Sequence, residues 1–142
     1  MSDDNDRLLI EELKRDEGVI PHAYQDSLGY WTIGVGRLID KRKGGKLTTE
    51  EIEYLLMNDI DEKVADLDKH IPWWRGLSPV RQRVMINMCF NLGIGGLLKF
   101  KNTLAMIKSG NYEGAARGML NSLWAKQVGK RANRLSDMMR NG

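Results

Sequence analysis

Glu17, Asp26 and Thr32 bring two carboxylates and a hydroxyl into one short stretch of chain, and the two acids sit in contrasting surroundings. The segment from Arg7 to Glu17 reads as one helix in which Leu9, Leu13 and Glu17 fall four residues apart on a single stripe, with Ile10 beside it. A carboxylate thus continues an apolar face. Gly18 follows at once and ends the helix, so Glu17 also stands at the negative end of the helix dipole. Partial burial and the dipole both disfavour the anion, which predicts a raised pKa, a retained proton and the role of general acid. Asp26 lies instead in Asp26-Ser27-Leu28-Gly29, turn chemistry between Ala23-Tyr24 and the run Tyr30-Trp31-Thr32-Ile33, where it is expected to be solvated and ionised. Acids whose environments differ in this way divide the work of proton donor and stabilising anion.

The element that must hold Thr32 is the second strand of a β-hairpin. Along it Thr32, Gly34 and Gly36 share one face while Trp31, Ile33 and Val35 share the other. The Thr32 face is nearly bare of side chains, so a sugar or a water is expected to approach the backbone there, with the Thr32 hydroxyl as donor or acceptor. Taken singly, Glu17 reads as an ordinary helix-terminal glutamate, and Asp26 and Thr32 as hairpin residues. Their compound spacing singles them out.

That spacing, carried by Asp16-Glu17-Gly18, Tyr24-Gln25-Asp26 and the run from Gly29 to Gly36, resembles the active-site signature of the phage-type lysozymes, glycoside hydrolase family 24. The similarity continues through the run Ile86 to Gly93, Phe100 to Leu104, Ser122-Leu123-Trp124 and Arg131 to Arg134, which resemble the C-terminal lobe of the T-even phage group. The resemblance implies an α+β, mostly helical fold of two lobes joined by a long helix. It implies a peptidoglycan glycan strand as substrate, cut at the β-1,4 bond between N-acetylmuramic acid and N-acetylglucosamine. Glu17 would be the acid, Asp26 the stabilising anion, and Thr32 a holder of water. Neither metal nor organic cofactor is required for that reaction. Leu38, Phe90 and Thr103 match positions that line the saccharide cleft, with Asn91 beside them, and Arg131 matches an arginine that pairs with the catalytic glutamate. Two positions depart from the pattern: Arg37 replaces a common histidine, putting one structural ion pair in doubt, and Leu123 stands where a cleft arginine is frequent.

The rest of the chain supplies the support. Its 142 residues, 42% of them apolar with four Trp and eight Met, suffice for a real core. Twenty-two basic residues against 19 acidic give a net charge of +3, compatible with an anionic partner such as a bacterial wall. Cys89, between Met88 and Phe90, is expected to be a small core residue without a disulfide. The acidic start of the chain lacks a secretory signal, and no run is long enough to span a membrane. Folding is therefore expected in the host cytoplasm, as a monomer without stable membrane insertion. Family resemblance then implies a separate membrane-permeabilising protein.

Leu38-Ile39-Asp40 is expected to add a short strand, and Lys41 to Lys46 a mobile basic loop. Thr48 and Glu51 announce a capped helix running to Lys69, with a break near Asn58-Asp59. Trp73 and Trp74 read as packing after that helix rather than as sugar platforms. Ser78-Pro79 starts an apolar helix through Val80, Val84, Met85, Met88, Cys89 and Leu92, ended by Gly93. Shorter helices follow from about Asn102 to Lys108, Asn111 to Ser122 and Val128 to Arg140. The expected division is an N-terminal lobe over about 1–47, a connecting helix over 48–70 and a helical lobe over 71–142. Two other readings are a lytic transglycosylase, which would not need Asp26, and a non-catalytic binder of cell wall or, through the basic last helix, of nucleic acid. The small net charge and the absence of a recognisable motif count against nucleic acid, and none is expected as a partner.

Overall fold

Acidic residues at one end of the opening helix and basic ones at the other complement its dipole. The computed structural model of the protein, which describes residues 3–39 and 45–142, places this helix, α1, at Asp3–Glu17, with Lys14 and Arg15 in its last turn. It begins four residues before the expected Arg7. Gly18 then turns left-handed at φ 81°, and its N–H donates to the Lys14 carbonyl at 2.9 Å.

Three short antiparallel strands follow in the order β1 (Ile20–Gln25), β2 (Trp31–Gly34) and β3 (Arg37–Leu38). Tyr24 pairs with Thr32 and Gln25 with Trp31, and the register shifts between Ile20 and Tyr24. Pro21 falls in that irregular part of an edge strand, where the missing N–H costs least. Thr32 also pairs with Leu38, so β2 is the central strand. The third strand is as expected at Leu38, whereas Asp40 and most of the basic loop lie outside the described residues.

Thr48 and Glu51 form a capping box. The Thr48 N–H donates to Glu51 Oε1 at 2.9 Å and the Glu51 N–H to Thr48 Oγ1 at 3.2 Å. Behind it α2 runs unbroken from Thr49 to His70, without the break expected at Asn58-Asp59. The chain divides into two compact units, Met1–Glu53 and Tyr54–Gly142, and α2 passes from the first into the second.

The second unit is helical. A 3-10 turn at Pro72–Gly76 leads to α3 (Pro79–Leu98), α4 (Lys101–Ser109), α5 (Tyr112–Leu120), α6 (Leu123–Val128) and α7 (Lys130–Asn141). Ser78 caps α3 by accepting from the Arg81 N–H, with Pro79 in the first turn, as expected. Gly93 interrupts α3 at φ 72°, ψ 162°, and a further turn of helix then resumes to Leu98. The short α6, capped by Ser122, fills the stretch between the helices expected to end at Ser122 and to begin at Val128, where no helix was expected.

Leu67, Trp74, Met85, Met88, Ile107 and Met119 lie in the core with Leu135 and Met139 of α7. Burial of each such side chain contributes roughly 1.5–3 kcal/mol. Trp74 is a core residue, 2% exposed, and its Nε1 donates to Asp68 Oδ1 at 2.8 Å. Arg81 ties the start of α3 to the end of α7: Nε donates to the Met139 carbonyl at 2.8 Å and Nη2 to that of Arg140 at 3.1 Å. Its guanidinium lies 3.5 Å from the Tyr112 ring centroid. Unpaired carbonyls at a helix end thereby gain charged donors.

Candidate active site

In the first unit, the turn between β1 and β2 is built around Asp26. Its Oδ1 accepts from the N–H groups of Leu28 at 2.9 Å and Tyr30 at 2.8 Å. Its backbone closes the turn, the N–H donating to the Tyr30 carbonyl and the carbonyl accepting from Gly29. Gly29 takes φ 84°, which an L side chain rarely adopts. One carboxylate oxygen is thus committed to the turn, while Oδ2 has no hydrogen bond among the described residues. The side chain is half-buried rather than fully solvated.

Thr32 departs further from expectation. It is 2% exposed, and its Oγ1 donates to the Tyr30 carbonyl at 3.0 Å. The face expected to be bare is covered at this position, and Trp31 on the opposite face is the exposed one at 51%. With its proton committed, the hydroxyl retains only lone pairs for a further partner.

Glu17 fills the space that Gly36 leaves. A Cβ built on Gly36 would lie 2.5 Å from Glu17 Oε2, 2.9 Å from Cδ and 3.2 Å from Cβ. The space expected to stand free for a sugar is therefore occupied by the acid at Gly36, whereas at Gly34 nothing lies within 4 Å of a built Cβ. Gly36 also has φ 63°, so conformation and space both select glycine there. The partial burial expected for Glu17 is not found: Glu17 is exposed, as are Leu9, Ile10 and Leu13 of the same helix.

Arg37 retains an ion pair despite the departure from the family pattern. Nη1 donates to Glu51 Oε2, and Nη2 donates to Glu51 Oε1 at 2.7 Å and to the Lys46 carbonyl at 2.6 Å. This two-pronged contact ties β3 to the start of α2. The Thr48 N–H and then Arg37 hold the Glu51 carboxyl below its ordinary range.

In the second unit, Arg131 is held by Asn87. Its Nε and Nη2 donate to Asn87 Oδ1 at 2.9 and 2.7 Å. These two residues, with Arg83, form the polar part of a cavity of about 370 Å³ whose apolar part is Leu56, Ile60, Ile86 and Phe90. Asn87 was not singled out as a functional residue in the sequence. Its signal was a polar side chain interrupting an apolar helix. Phe90 is 40% exposed. Asn91 Oδ1 accepts from Trp124 Nε1 at 2.7 Å, and Leu38, in the first unit, is half-buried.

Thr103 is 5% exposed, and its Oγ1 would lie 2.7 Å from a Cβ built on Gly118. It packs α4 on α5. Leu123 is 70% exposed. Among the described residues no cluster of three or more His, Cys, Asp or Glu is arranged to hold a metal ion.

A family profile described as phage lysozyme matches residues 14–140. "Probable T4-type lysozyme 1" of Dictyostelium discoideum is 30% identical over 160 residues, which cover 94% of each chain. "Endolysin" of Acyrthosiphon pisum secondary endosymbiont phage 1 is 30% identical over 119 residues, covering 84% of this chain and 80% of that one. "Pre-baseplate central spike protein Gp5" of Enterobacteria phage T4 is 31% identical over 167 residues, covering 99% of this chain but 29% of that protein.

Proposed function

From the premise that the chain belongs to the phage lysozyme family and is a glycoside hydrolase, we propose that it is a muramidase that hydrolyses the β-1,4 bond between N-acetylmuramic acid and N-acetylglucosamine in peptidoglycan. The observation that carries this reading is the placement of Glu17 on Gly36, at the end of the sheet whose other turn Asp26 holds. Glu17 protonates the departing glycosidic oxygen as the C1–O bond breaks. Asp26, through the oxygen left free by the turn, stabilises the oxocarbenium-like state or orients the attacking water. Thr32 accepts a hydrogen bond from that water. In the second unit Arg131, steadied by Asn87, offers a cation to the reaction, and Phe90 and Asn91 there, with Leu38 in the first unit, are the residues assigned to the glycan.

The enzyme reaches the wall after a separate protein has permeabilised the membrane. Among the described residues no helix is long and apolar enough to cross one. Glu17→Gln tests the assignment. It should lower release of reducing ends from purified peptidoglycan by several hundredfold, within the roughly 10²–10⁴ range of general-acid contributions, while far-UV circular dichroism is unchanged. Activity near that of the parent would reject Glu17 as the acid, and an anhydro sugar product would reject hydrolysis.

A further inference from the structure

The modest net charge hides a strong segregation. Residues 1–53 carry eight basic and twelve acidic side chains, whereas residues 69–142 carry thirteen basic ones against only Glu113 and Asp137. Arg140 takes both of those acids: Nε donates to Glu113 Oε2 at 2.6 Å and Nη1 to Asp137 Oδ1 at 3.2 Å. One guanidinium thus answers every acid in the last 74 residues of the chain. Lys101, Lys108, Arg117, Lys126, Lys130 and Arg134 are exposed on α4 to α7 and form no ion pair among the described residues. Charges of one sign on neighbouring packed helices add into a field that draws in a polyanion.

We infer that helices α4 to α7 of this unit dock on a flexible, phosphate-bearing polymer attached to the bacterial wall. The choice of a wall polymer rests on the muramidase reading. The cations are distributed over four helices rather than gathered in a cleft, which suits a long chain better than a small anion. Four of the six named are lysines, mobile point charges fit for successive phosphates, whereas paired carboxylates favour the arginine fork. Nucleic acid and acidic lipid share the charge but need more. Unspecific strand binding uses exposed aromatic rings among the cations, and none is exposed between residues 91 and 142. Insertion into a lipid surface uses an apolar face, and the exposed large apolar side chains there are Leu120 and Leu123 alone.

The test separates binding from cleavage by working in the Glu17→Gln background and sedimenting the protein with isolated walls, intact or stripped of phosphodiester-linked polymer. Binding to intact walls should fall linearly in log affinity against log salt. Changing Lys126, Lys130 and Arg134 together to Gln should make that slope shallower by about 2 and weaken binding at low salt by about tenfold, by analogy with single-stranded polyanions. The pair Lys101→Gln and Lys108→Gln should act in the same direction, and melting temperatures of both variants should match the background. Equal binding to intact and stripped walls would overturn the proposal, as would tighter binding to duplex DNA or to phosphatidylglycerol vesicles. Failure of the parent to release reducing ends would remove the muramidase reading, yet leave this binding result to be judged by itself.

Discussion

Replacing Gly36 by Ala should damage activity far more than stability, because the added methyl group meets the acid itself. The new Cβ would stand 2.5 Å from Glu17 Oε2, while ordinary contact begins at 3.4 Å, so the carboxyl must move by about 0.9 Å. Its Cδ and Cβ, at 2.9 and 3.2 Å, lie inside the same limit. Rotation of the terminal group alone does not relieve them all. A misplacement of about 1 Å in a positioned catalytic group costs on the order of 10²-fold in rate.

The stability cost has a different source. Gly36 sits at φ 63°, and an L residue in the left-handed region costs roughly 1–2 kcal/mol. Gly110, at φ 85° behind α4 with no atom within 4 Å of a built Cβ, supplies the control. Gly110→Ala carries the same kind of backbone strain without touching Glu17. Both variants should therefore melt several degrees below the parent, while only Gly36→Ala loses about a hundredfold in reducing-end release. Equal activity of the two, with equal melting temperatures, would refute the claim that Gly36 leaves room for the acid.

Two further outcomes follow from groups outside that contact. Arg75, and after it Trp74, hold the Asp68 carboxyl down to about 2; because the folded value lies below the unfolded one, the stabilisation is complete above about pH 4 and is lost as pH falls toward 2. Urea midpoints of the parent should therefore drop more steeply than those of Asp68→Asn across that window, and parallel curves would show that the pair adds nothing. Burial in the core, and after it the charge of Asp66, pushes the Cys89 thiol up, so Cys89 should resist a thiol-specific reagent in the native protein and react once denaturant unfolds it. Rapid native labelling at neutral pH would contradict that core placement.

Most element boundaries were legible because their signals are local. Gly18, the Thr48 and Glu51 box, and Ser78-Pro79 each act within a few residues of themselves, and each ends or starts a helix as expected. Asp26 was legible for the same reason, since its turn is made by its own carboxylate and its immediate neighbours. The break expected in α2 had no such local cause. Asn58 and Asp59 are weak helix formers, but neither removes a backbone bond as proline does, and the helix continues through them.

What the sequence hid were relations between distant residues. Period-two alternation put Thr32, Gly34 and Gly36 on one face, but β2 ends at Gly34 and Gly36 lies in the turn before β3, so the pattern was silent about what comes to rest there. Glu17 is nineteen residues from Gly36, and a missing side chain reads equally as room for a ligand or room for a neighbour. The hydroxyl of Thr32 posed the same ambiguity until its donation to the Tyr30 carbonyl fixed its remaining capacity. Arg37 shows the converse: a departure that threatened an ion pair kept one, because a longer and forked cation reaches both Glu51 and the Lys46 carbonyl. A substitution judged only by the partner it loses omits the partners its own geometry can find. At this site those partners belong to the cap that starts α2, so the arginine secures the sheet to the helix that follows it.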